Sequence, residues 1–150
     1  MTQHVRAQIR KNVAEILTGL VTTAANPVFV DPSSSLTIDD MPCLCVTLGN
    51  ETVESRGSRP RSLRRTAMLD IICLIAANTD QNAHDVLDQA LAEVEIALAS
   101  NLHLNGTAQL VTLLSTDLGV DESGEVPIVV GVMHYEVVYA TSEGFPNVSR

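Results

Sequence analysis

The stretch "RRTAMLDIICLI", residues Arg64 to Ile75, decides the fold. Ala67, Leu69, Ile71, Cys73 and Ile75 fall on every second position, the period at which strand side chains return to one face. The intervening positions begin polar, with Arg64, Thr66 and Asp70, and turn apolar at Ile72 and Leu74. This predicts a long strand with one buried face and a far half covered on both sides.

Upstream, "CLCVTLGN" (43–50) alternates in the same way, with Leu44, Val46 and Leu48 on one face and Cys43, Cys45 and Thr47 on the other. "NPVFVDP" (26–32) is a short extended piece bracketed by prolines, which suits a sheet edge. "SSSLTIDDMP" joins the two as a polar loop. Val5, Ile9, Val13, Ile16 and Leu20 recur at helical spacing, so residues 3–22 are predicted to form an amphipathic helix capped by Thr2 or Gln3. Downstream, Ala83, Leu87, Ala90, Leu91, Val94 and Leu98 form the stripe of a second helix, with Thr79 or Asp80 at its cap. Leu110–Val120 and Ile128–Thr141 are predicted strands, and "DESGE" (121–125) is a solvated turn between them. On the last strand Val129, Met133, Tyr135, Val137 and Tyr139 share a face. Residues 143–150 are expected to be a mobile tail.

The resulting order is α–β–β–β–α–β–β. Adjacent strands are joined by turns, which favours antiparallel pairing. The expected class is α+β: a mostly antiparallel sheet of about five strands, with two main helices packed on one face and a single domain over residues 1–150. At 150 residues the chain can bury a substantial core. With no Trp and 3% aromatic residues, that core is aliphatic.

Composition also narrows function. The N-terminus has no apolar signal core, and no run of about 18 apolar residues is present, so neither secretion nor membrane spanning is expected. Three cysteines make no disulfide framework and fit a reducing, cytoplasmic setting. Cys43 and Cys45 share a strand face, but their spacing is not that of a zinc knuckle. Buried structural thiols are expected, with a cysteine–histidine catalytic pair as the alternative that no local feature marks. His134 and Glu136 share a face; they are either an acid–base pair or polar residues on the wet side of a strand. Phosphate loops, nucleophile elbows and calcium-loop ligand patterns do not occur. No catalytic, cofactor or metal residue is assigned.

The charge is uneven. The net charge is −9, but residues 1–66 carry eight Lys/Arg against six Asp/Glu, and residues 67–150 carry one against twelve. Five of the nine basic residues, Arg56, Arg59, Arg61, Arg64 and Arg65, lie in "ESRGSRPRSLRRT" (54–66). Gly57 and Pro60 give this segment the character of a loop, with Arg64 and Arg65 opening the strand that follows. Its arginines can meet an acidic protein surface, another copy of this chain with its oppositely charged second half included, remain solvated, or dock phosphates through their planar forks. A sequence pI of about 4.7 opposes nucleic acid at long range.

The leading helix, then "NPVFVDPSSSLTIDDMPCLCVTLGNETVE", "RSLRRTAMLDIICLI", an acidic helix and "GEVPIVVGVMHYEVVYAT", resemble the tail terminator proteins of long, non-contractile-tailed bacteriophages, the minor tail protein U group. The resemblance follows nearly the whole chain in order and length. It implies a virion structural protein and not an enzyme. The implied assembly is a homo-oligomeric ring, six-fold in that family, on the head-proximal end of the tail tube. Such a ring stops tube polymerisation and offers a surface to the neck or head–tail connector, while DNA passes through the lumen without specific binding. It would be assembled in the host cytoplasm and need no cofactor. Arg56, Arg59, Arg61, Arg64 and Arg65 would then serve as protein-interface residues, with the 54–66 segment ordering when it meets the tube. The alternatives are a head-closure or connector protein of similar size, a small thiol enzyme using Cys43, Cys45 or Cys73, and a nucleic-acid-binding module.

Overall fold

The computed structural model describes residues 3–20, 27–31, 36–77 and 82–150. Its elements run α1 (Val5–Leu17), β1 (Val28–Val30), β2 (Cys43–Arg56), β3 (Ser62–Ala76), α2 (Ala83–Ala99), β4 (Leu110–Asp121), β5 (Ile128–Ser142) and β6 (Phe145–Ser149). The α+β class and the order expected from sequence are both present. The sheet runs β1-β2-β3-β5-β4, with β6 also paired to β5. Every pairing is antiparallel except the three-residue β1, which lies parallel to β2.

The long strand forms as the alternation requires. Ala67, Leu69, Ile71, Cys73 and Ile75 are buried. They join Leu44, Val46, Val129, Met133, Tyr135, Val137 and Tyr139 in one cluster beneath Val5, Ile9, Val13 and Leu17 of α1 and Leu87, Ala90, Leu91, Val94 and Leu98 of α2. Both helices therefore cover the same face. On the opposite face Ile72 and Leu74 are only half-buried, not covered as their apolar character predicted. They line a cavity of about 590 Å³ with Leu36, Met41, Cys45 and Val130.

The helix termini differ in detail. The α1 cap is His4, whose Nδ1 accepts a hydrogen bond from the Arg6 amide at 3.0 Å. Gln3 does not fill that role, and Thr2 lies outside the described residues. The helix ends at Leu17, with Gly19 turning the chain at φ 85°; the expected end at residue 22 falls outside the described residues. So do Thr79 and Asp80. The α2 cap is Asn82, whose side chain accepts from the His84 and Asp85 amides.

The expected mobile tail is instead strand β6. Its backbone pairs with the end of β5, Gln8 Nε2 donates to the Asn147 carbonyl at 3.0 Å, and Ser149 Oγ donates to the Thr107 carbonyl at 3.0 Å. These partners are 139 and 42 residues away in sequence, so local composition carried no trace of them.

Gly131 sets the approach of α2 to the sheet. A Cβ there would stand 2.9 Å from Leu91 Cδ1 and 3.1 Å from Leu87 Cδ1. Gly131→Leu should destabilise the protein by about 1–3 kcal/mol through overpacking, with Gly131→Ala costing less because the Leu91 side chain can turn aside. Denaturant midpoints of the two variants check this.

Candidate protein-interaction surface

The arginine segment is a hairpin, not a free loop. Cross-strand pairs Glu54↔Arg64, Ser55↔Leu63 and Arg56↔Ser62 carry the β2–β3 ladder to its end, leaving only residues 57–61 as the turn. Gly57 supplies the positive φ, 82°, that the turn needs. β5 backs the hairpin through Leu63↔Thr141 and Ser62↔Ser142. Glu143 fastens its tip: the Glu143 amide donates to the Arg61 carbonyl at 2.8 Å, and the Arg61 amide donates to Glu143 Oε2 at 3.1 Å. The segment expected to order on meeting a partner is already held by these bonds.

The five arginines separate into two groups. Arg64 and Arg65 are neighbours on a strand, so their side chains leave on opposite faces. Arg64 is exposed, together with Arg56, Arg59 and Arg61. Arg65 turns beneath the sheet, where its side chain is 12% exposed. Its Nη1 meets Glu51 Oε2 at 3.0 Å and its Nε donates to Thr141 Oγ1 at 3.1 Å. Arg6 of α1 reaches the same Glu51 oxygen at 3.5 Å, and the Tyr139 hydroxyl donates to Glu51 Oε1. Burial, with the hydrogen bond to Glu51, pushes the Tyr139 phenol well above its ordinary range.

Glu51 reaches this position through a bulge. The register shifts between Leu48 and Glu51: Leu48 opposes Leu69, yet Glu51 opposes Ala67. One extra residue reverses which face each later side chain takes. Strict alternation from Leu44 would place Glu51 with Cys43 and Cys45, away from the helices. The sequence reading therefore missed it, and "LGNE", with its glycine inside a strand, is the only local sign.

A second polar cluster occupies the face opposite the helices. His134 bonds through Nδ1 to Asp70 Oδ1 at 2.7 Å and through Nε2 to Asp117 Oδ2 at 2.8 Å, tying β5 to β3 and β4. Its partners are thus Asp70 and Asp117, not Glu136. The hydrogen bonds to Asp117 and then Asp70 raise the imidazole above its ordinary value. With both nitrogens engaged by carboxylates, the ring clamps three strands.

The thiols are buried, as expected. Register puts Cys43 and Cys45 opposite Leu74 and Ile72 on one face, while Cys73 joins the core on the other, so the sheet separates them. A hydrogen bond with Cys45, then burial, pushes Cys43 far up, and the same bond lowers Cys45. Burial raises Cys73 to about 12. Among the described residues no group of three His, Cys, Asp or Glu side chains is placed to hold a metal ion.

At the far end of the sheet, Asp121, Glu122 and Glu125 are exposed in the β4–β5 turn. Asp121 Oδ1 accepts from the Ser123 hydroxyl at 2.7 Å and the Ser123 amide at 3.0 Å, which lowers its carboxyl. Next to the turn, the edge strand β4 exposes Leu114, Leu118 and Val120. These apolar side chains were not singled out from the sequence, because alternation alone does not reveal where a covering helix stops.

No protein-family model matches the chain, and no curated protein matches it. The class its fold and surfaces define is a two-layer α+β domain, helices on one face of the sheet, with a basic hairpin at one end and an acidic turn at the other.

Two substitutions test these clusters. Glu51→Ala leaves Arg65 buried without its carboxylate and should cost about 3–5 kcal/mol, whereas Arg56→Ala should stay within about 0.5 kcal/mol, both read from urea unfolding. The raised His134 value makes its clamp stabilising below the ordinary histidine range, an effect lost as pH rises through the folded value. His134→Gln should therefore lower the melting temperature more at about pH 6 than at about pH 9, as followed by circular dichroism.

Proposed function

We propose that this chain is a virion structural protein that closes the head-proximal end of a phage tail tube as a homo-oligomeric ring. The ring stops tube polymerisation and presents its outer face to the neck or head–tail connector. The observation that carries this reading is the arginine hairpin: an acidic protein holds Arg56, Arg59, Arg61 and Arg64 outward on a braced two-stranded arm. Such an arm is pre-organised for an acidic protein surface, and little conformational freedom is lost when it docks.

The acidic body fits the same role. A lumen through which DNA slides should repel phosphate, and residues 67–150 carry twelve Asp/Glu against a single Arg. The mechanism is surface complementarity. One face of the ring matches the last tube ring, and the other lacks the surface that would receive another tube subunit. No catalytic group, cofactor or specific DNA contact is needed for it.

The test is electron microscopy of tail tubes of the same virus assembled with and without the purified protein. The expected result is a ring of density with a central hole at one tube end and an arrest of elongation. Tubes that keep elongating with bare ends would overturn the reading. In the same assay Arg56→Glu combined with Arg64→Glu should lower end occupancy by about tenfold or more, because two charges are reversed on one docking arm.

A further inference from the structure

The two charged ends of the sheet have complementary sign and opposite position. β3 spans 15 residues, about 50 Å at about 3.4 Å per residue. At one end of it, on the β2 side of the sheet, stands the arginine hairpin. At the other end, on the far edge, stands the β4–β5 turn with Asp121, Glu122 and Glu125.

Among the described residues, neither end is neutralised. Arg56 meets Glu54 at 3.4 Å and Arg59 meets Glu143 at 4.0 Å, but the two arginine side chains are 60% and 77% exposed. Contacts this loose and wet contribute little and exchange readily for others. Among the described residues Asp121, Glu122 and Glu125 form no ion pair; the Asp121 carboxylate is bonded only by Ser123. Each end also carries exposed apolar side chains on the helix-bearing side of the sheet. On the hairpin this is Val53, opposite Arg65; beside the turn they are Leu118 and Val120, opposite Gly131 and Val129.

We propose that the hairpin of one copy docks on the β4–β5 turn of the next copy of the same chain. The guanidinium groups of Arg59 and Arg61 meet the carboxylates of Glu122 and Glu125, and Val53 seats against Leu118 and Val120. Hairpin against hairpin places arginines on arginines, and turn against turn places carboxylates on carboxylates, so a two-fold contact through either end is disfavoured. Only the heterologous contact satisfies both ends, and a repeated heterologous contact closes into a ring when its rotation allows. This rests on the ring reading above and names its subunit contact.

The test measures self-association of the full chain by sedimentation velocity over a concentration series, in low and high salt and without tail tubes. Wild-type protein is expected to associate reversibly in low salt and to weaken as salt rises. The double variants R59E/R61E and E122R/E125R should each associate about tenfold more weakly or worse. The quadruple variant carrying all four changes should recover association, and so should an equimolar mixture of the two double variants, which does not depend on the quadruple chain folding. Three results would overturn the proposal: wild-type protein with no attraction in low salt, double variants that associate like wild type, or failure of both the quadruple variant and the mixture to recover. Tube capping is scored separately. Charge-swap rescue without capping would remove the tail role and keep the contact, and capping without rescue would do the reverse.

Discussion

The rest of the structure leans on one buried carboxylate. Glu51, with a side chain 6% exposed, is met by Arg65 of β3, Arg6 of α1 and the hydroxyl of Tyr139 on β5. Removing a carboxylate and a guanidinium from water is costly, and their attraction repays that cost only if the geometry is good and the remaining hydrogen bonds are made. Here both carboxylate oxygens are occupied and Arg65 has a second acceptor in Thr141. The cluster is thus satisfied only when helix and three strands are in register together. It stands where the helix-covered sheet gives way to the exposed hairpin, so it anchors the arm to the body.

Much of the fold was legible because it follows from two periods. The alternation in β3 and β5 and the stripe in α2 place their residues correctly, since each is a strictly local consequence of one face meeting a core. What escaped was non-local. β6 depends on β5, Gln8 and Thr107. Arg65 has its partner 14 residues away, Tyr139 contacts Glu51 across 88, and His134 finds Asp70 across 64. The bulge at residues 49–50 then inverted a pattern that simple alternation would have extended. The arginine-rich segment was recognised, but Gly57 and Pro60 read as breakers of a strand when they belong to the turn of a hairpin. Of function the sequence carried only a diffuse likeness to tail terminators, in its element order and not in any signature residue.

The division between Arg64 and Arg65 shows how a run of like charge can serve two purposes. One pleat separates an arginine that completes the interior from one that faces solvent. Composition counts five basic residues in the segment, whereas the hairpin leaves four at the surface and turns one inward to Glu51. Altering the whole run at once would therefore confuse loss of docking with loss of folding.

Strand β4 ends the sheet, and its pairing with β5 shifts register between Leu113 and Ser115. A flat, apolar edge strand is a template on which any extended chain can zip, and proteins that expose one tend to aggregate. The irregularity at Leu114 breaks the even row of amides and carbonyls on that edge, while Asp117 and Asp121 punctuate the apolar residues beyond it. Newly made chains crowded together would thus be kept from joining backbone to backbone in arbitrary register. Side-chain recognition, which can distinguish the right neighbour from the wrong one, is left as the route by which copies would meet in the proposed ring.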